Sequence, residues 1–270
     1  MKFGLIHHKA PGDTLEAFLD WAAQAGFDVV ELRCDQVGFD SDQPQQAFER
    51  VRKLVDQRGL AVSAVSALND FVVLEEDQVQ HQVERMGRLC GLVGTLGTNV
   101  LRTEGGKPKP EVPPEKYAEA MTECLKRCQP FLERDDVYLA VDNHGVVTND
   151  PDLQIRVFEA VGSDHVGANL DTANYRWAGH SVEQCRQIYD RIAPYARHTH
   201  FKDCTGSRVT NDYLSTIFGE GEVDLMYAVT ALGQANYQGV YCAEWEGKGD
   251  SGQAYAGCLA WMKRHVQGSR

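Results

Sequence analysis

The chain has 270 residues, 43% of them hydrophobic, and a net charge of −12, which suits a domain with a large buried core. An acidic balance without a long basic run argues against a phosphate-tracking surface, so no nucleic-acid partner is expected. Eight scattered cysteines without a C-x-x-C pair read as reduced thiols of a cytoplasmic protein.

The N-terminal MKFGLIHHKAPGD carries too short an apolar run for a secretory leader, and no stretch approaches a membrane span. From there the chain alternates short apolar runs with amphipathic segments. Strands are expected at KFGLIH (2–7), FDVVELR (27–33), LAVSAVSA (60–67) and TNVLRT (98–103). They continue at VYLAVD (137–142), HVGANLD (165–171), ARHTHFK (196–202) and GVYCAEWE (239–246). Each is followed by a segment with apolar residues at three- and four-residue steps, such as PQQAFERVRKLVDQRG or VEQCRQIYDRIAP. Cys124 and Cys128 fall one helical turn apart in one of these and read as packing.

Eight strand-then-helix units in series predict an α/β fold, a single (β/α)8 TIM barrel with parallel strands spanning residues 1–270. An open doubly wound sheet is the alternative. It would carry a glycine-rich phosphate turn after the first strand, where this chain has His7, His8 and Lys9. The longest irregular stretches, 104–114 and 203–221, each follow a strand, on the face where barrel enzymes place their active sites.

The later strands end in polar residues. The fifth ends in Asp142 and His144, the sixth in Asp171, the seventh in His200 and Lys202, and the eighth in Glu244 and Glu246. Residues two apart on a strand share a face, so these acids and imidazoles converge on one mouth. Like charges so close need a cation among them. Oxygen-rich ligation with one imidazole suits a single divalent ion, Mn2+ first, with Mg2+, Co2+ and Zn2+ as alternatives.

These residues resemble the xylose isomerase-like barrels, a superfamily of sugar isomerases and epimerases that also contains endonuclease IV. DNHG (142–145), NLDTANY (169–175), HTHFKD (198–203), GEGEVD (219–224) and YCAEWEG (241–247) carry the resemblance. It implies Asp142, Asp171, His200 and Glu244 as metal ligands. It also implies a metal-dependent isomerase or epimerase acting on a small keto-sugar or sugar acid. Asp142 departs from the glutamate usual in that family and is one methylene shorter. His144 then becomes the candidate base, with Glu244 and Lys202 as further acid–base or electrostatic groups. The same departure keeps a lyase, a dehydratase or decarboxylase, as the alternative. An endonuclease would need further histidines after strands three and four, where the chain has SALND and LRTEGG.

Strand-end position adds His7, His8, Glu31, Arg102 and Glu104 as substrate-binding candidates, with Glu246 beside Glu244. Trp177 is a candidate apolar wall, and Arg208 a contact for an anionic substrate group. His198 shares the inward face with His200 and is expected behind the ligands. GEGEVD reads as a turn and helix cap, because Glu220 and Glu222 would repel a phosphate. A homo-oligomer is compatible with the sequence.

Overall fold

The computed structural model describes residues 1–266. Its barrel strands in chain order are β1 (Lys2–Ile6), β2 (Val29–Arg33), β3 (Ala61–Ser66), β4 (Val100–Thr103), β5 (Tyr138–Asp142), β6 (Val166–Asp171) and β7 (Ala196–Phe201). Two short strands follow, β8 (Asp203–Thr205) and β9 (Leu214–Thr216), and then the eighth barrel strand, β10 (Val240–Ala243). The barrel closes in the order β1-β10-β7-β6-β5-β4-β3-β2, every pairing parallel. Each barrel strand lies within the run read from the sequence. The segment 203–221, expected to be irregular, instead contains the antiparallel β8–β9 pair.

The helices are α1 (Leu15–Ala25), α2 (Pro44–Asp56), α3 (Glu76–Val93), α4 (Tyr117–Arg134), α5 (Pro151–Val161), the short α6 (Asn174–Trp177), α7 (Val182–Ile192), α8 (Leu225–Gln234) and α9 (Ser251–His265). Their starts follow local chemistry. The Thr14, Asp150, Asp224 and Asp250 side chains accept first-turn N–H bonds, and Ser181 with Gln184 forms a capping box. In α2, Phe48, Val51 and Val55 turn one buried stripe to the barrel. Truncating Phe48 to alanine would cost about 3–5 kcal/mol.

Two register shifts matter for the site. One falls between Val30 and Glu31, the other between Ala168 and Asn169. Such irregularities re-aim side chains next to active sites, and Glu31 and Asn169 both end up buried inside the barrel. Next to the second shift, a Cβ at Gly167 would stand 2.1 Å from the Tyr195 carbonyl oxygen. Only glycine allows that approach.

Candidate metal centre and its cavity

Asp171 ends β6, and its Oδ1 caps α6 by accepting from the Ala173 and Asn174 N–H groups at 2.8 and 2.9 Å. Its Oδ2 is left buried without a hydrogen-bond partner. Burial pushes the carboxyl up to about 7, against the pull of Lys202. On β7, His200 Nε2 meets Glu31 Oε2 at 2.7 Å, and its Nδ1 lies 3.1 Å from Glu244 Oε2. Burial alone would lower the His200 pKa, but the Glu31 and Glu244 carboxylates outweigh it and hold it at about 10. Glu31 is drawn down to about 2, its burial overcome by His200.

Lys202 is fully buried, and its ammonium contacts Asp171, Glu244 and Glu246. Burial disfavours its charge, yet those three carboxylates raise its pKa well above the ordinary lysine value. Glu244 is held well below the usual carboxylate range, where Lys202 and His200 overcome the burial penalty.

Asp142 has different company. Its Oδ2 pairs with Arg102 Nη2, and its Oδ1 accepts from Asn169 Nδ2 at 2.6 Å. Because Asn169 donates there through its amide nitrogen, its Oδ1 must accept, and His198 Nδ1–H donates to it at 3.0 Å. Burial lowers the His198 pKa to about 4, so the ring is neutral at pH 7. Asn143 joins the ends of β5 and β6, donating to the Asp171 carbonyl and accepting from the Asp171 N–H.

A family model described as xylose isomerase-like TIM barrel matches residues 19–265. The chain belongs to that family. No curated protein matches it in sequence. Among solved structures, a protein titled IOLI with a bound zinc atom is similar at 16% identity and a TM-score of 0.80, covering 99% of this chain and 98% of that one. A probable 3-DHS dehydratase, AsbF from Bacillus anthracis, is similar at 16% identity and a TM-score of 0.77, covering 97% and 99%. A 3-keto-D-glucoside 4-epimerase, YcjR from E. coli, is similar at 16% identity and a TM-score of 0.76, covering 98% and 99%. At such identity the likeness speaks for the fold.

A divalent ion fits the residues present. Asp171 Oδ2, His200 Nδ1 and Glu244 Oε2 are all buried and meet charged neighbours, the Lys202 ammonium at 3.2 and 3.0 Å from the two oxygens and His200 Nδ1 at 3.1 Å from Glu244 Oε2. They are two oxygens and one nitrogen, the donor set such an ion takes. Candidate ligand atoms of Asp142, Asp171 and His200 lie within 4.8 Å of one another. Three of the four expected ligands thus lie together, although both Asp142 oxygens already have partners, while Glu244 groups with His8 and Glu246.

Above them opens a cavity of about 210 Å³ lined by Ile6, His8, Arg33, Ser66, Leu68, Arg102, Glu104, His144, Glu244 and Glu246. His144 Nδ1 stands 3.8 Å from Asp142 Oδ2 and Nε2 stands 3.9 Å from Glu104 Oε2. Arg102 and Glu246 thus line the cavity. Glu31 instead packs behind His200, and His7 stacks on Phe18 with ring centroids 4.0 Å apart, leaving His8 to line the cavity. Trp177 lies between Tyr213 and the Arg208 guanidinium, which is 3.6 Å from its ring centroid. Asn169 escaped the sequence reading. It lies two residues before Asp171 on the same strand face, the spacing that brought out Glu244 and Glu246.

GEGEVD wraps a carboxylate of the chain itself. Asp203 accepts N–H bonds from Cys204, Gly219, Gly221 and Val223 at 2.8–3.1 Å. Asp224 caps α8. Among the described residues no helix is long and apolar enough to cross a membrane.

Proposed function

We propose that the protein is a divalent-metal-dependent isomerase or epimerase acting on a small keto-sugar or sugar acid. The observation that carries this reading is the convergence of three buried ligand atoms on Asp171, His200 and Glu244, neighboured by one another and by the Lys202 ammonium, with Glu244 also lining a polar cavity. The cavity has room for about seven waters at ~30 Å³ each, the scale of a monosaccharide.

Asp171, His200 and Glu244 would hold the ion, with Asp142 beside them as a fourth candidate. Mn2+ leads as the metal, and Mg2+, Co2+ or Zn2+ remain alternatives. When bound, the ion would polarise a substrate carbonyl and acidify the neighbouring C–H bond. Glu31 fixes the His200 ring by accepting from Nε2, so that Nδ1 faces inward. His144, with Nδ1 buried, turns Nε2 to the cavity and would take or return the proton at the substrate carbon. Glu244 would serve the opposite side of the substrate. Lys202 supplies positive charge beneath the reacting oxygens.

A second reading, a lyase, is favoured by one feature. Both Asp142 oxygens are engaged, so the acid on β5 is not free to share proton transfer with Glu244. A single base with Lys202 or Arg102 assisting a leaving hydroxyl would dehydrate rather than epimerise. Elemental analysis and metal titration of the purified protein test the metal. Proton exchange into a panel of keto-sugars and keto-acids in D2O, scored for isomer, water loss or CO2, tests the reaction. Protein that takes up no metal and exchanges no substrate proton would sink the proposal.

A further inference from the structure

Lys202 shares its acceptors with the proposed ion. Its Nζ lies 3.2 Å from Asp171 Oδ2 and 3.0 Å from Glu244 Oε2, the same buried oxygens that would ligate the metal. A divalent ion stands roughly 2.0–2.2 Å from carboxylate oxygens, so an ammonium on those atoms meets it at close range, and like charges repel there. Nζ has two further acceptors, Glu246 Oε1 at 3.1 Å and Asn174 Oδ1 at 3.5 Å. Glu246 lines the cavity and is only partly buried.

We propose that Lys202 and the divalent ion compete for Asp171 and Glu244, and that Glu246 with Asn174 is the position to which the ammonium withdraws when the ion binds. The lysine is then a positioning residue. It neutralises the two acids without a metal, and with one it is pushed toward the cavity, against Glu246 and the substrate. The stem allows this because the four acceptors surround one Nζ, so withdrawal exchanges contacts rather than breaking all of them. This inference rests on the metal reading above.

Calorimetric titration of Mn2+ into EDTA-stripped wild type, K202M, E246Q and the double variant tests it. K202M keeps the buried stem and removes the competing charge, so it should bind Mn2+ about tenfold tighter or more. Its metal-free Tm should fall, because two acids lose their counter-ion, and Mn2+ should restore it. E246Q keeps an acceptor but removes the negative charge of the withdrawal site and should bind Mn2+ several-fold more weakly, an effect that should vanish in the K202M background. K202M affinity equal to or below wild type overturns the proposal, as do strictly additive effects of the two substitutions. A lysine that merely braces the fold predicts weaker binding in K202M. Should K202M fail to fold, E246Q still decides, since unchanged affinity there also overturns the proposal. If folded wild type and K202M both take up no Mn2+, the metal reading itself fails; if wild type binds and K202M matches it, only the competition fails.

Discussion

Glu31→Gln probes whether the His200 ring is held for ligation. Glu31 is fully buried, and its Oε2 meets His200 Nε2 at 2.7 Å, a charge-assisted bond. Glutamine keeps the shape, and its carbonyl oxygen still accepts from Nε2–H, so the bond survives without its charge. The stability loss should be about 1–2 kcal/mol, the charge-assisted part alone. At roughly 2–4 °C per kcal/mol for a chain of this size, that lowers Tm by about 2–8 °C. The larger effect should fall on the metal. Removing a carboxylate that orients a ligating histidine typically weakens affinity about 10–100-fold, or about 1.4–2.7 kcal/mol. Mn2+ titration of the stripped variant, beside a melting curve, measures both. Affinity within twofold of wild type would refute the idea that Glu31 presents Nδ1 for ligation.

His144→Gln should keep metal affinity while kcat on the substrate found by screening falls by about 10²–10⁴-fold, the usual worth of a general acid or base; weakened metal binding rescued by excess metal would make His144 a brace for Asp142 instead. Asp203→Ala should lower stability by at least about 3 kcal/mol, because four backbone N–H groups lose their acceptor; a melting curve within 2 °C of wild type would show that the loop does not depend on it. Five acids at the mouth (Glu104, Asp142, Asp171, Glu244 and Glu246) exceed its fixed cations Arg33, Arg102 and Lys202. Neutral keto-sugars should therefore exchange protons in D2O faster than their phosphorylated counterparts, and the reverse order would count against this charge balance. Duplex DNA should show no measurable binding at physiological salt, and filter binding or anisotropy checks this.

The barrel was legible because its strands are short apolar runs between helical stripes, and that alternation survives in any parallel sheet buried on both faces. The β8–β9 pair was not. Its strands are three residues each, and the loop between them holds its shape through Ser207, Thr210 and Asp212 rather than an apolar pattern. Within the mouth, the two-residue period placed Asp142 with His144 and Glu244 with Glu246 on common faces. That period could not show which partner each acid would choose. Glu31 was read as facing substrate, but the register shift beside it and the reach of His200 from across the barrel turn it inward. Such a choice depends on neighbours 169 positions away in the chain.

The strand-five acid shows the same dependence most fully. Alone, a shorter side chain at position 142 reads as a weakened ligand or a lost proton carrier. In the fold it anchors a chain of polar contacts, Arg102 to Asp142 to Asn169 to His198, that crosses β4 to β7. The buried guanidinium and the buried carboxylate compensate each other's charge, so removing either would leave an unpaired charge in the interior. Arg102 also lines the cavity, with its Nε buried and unpartnered. Asp142 therefore does more than stand beside the candidate ligands. It fixes a cation on the β4 side of the cavity, next to His144, which lines the same space.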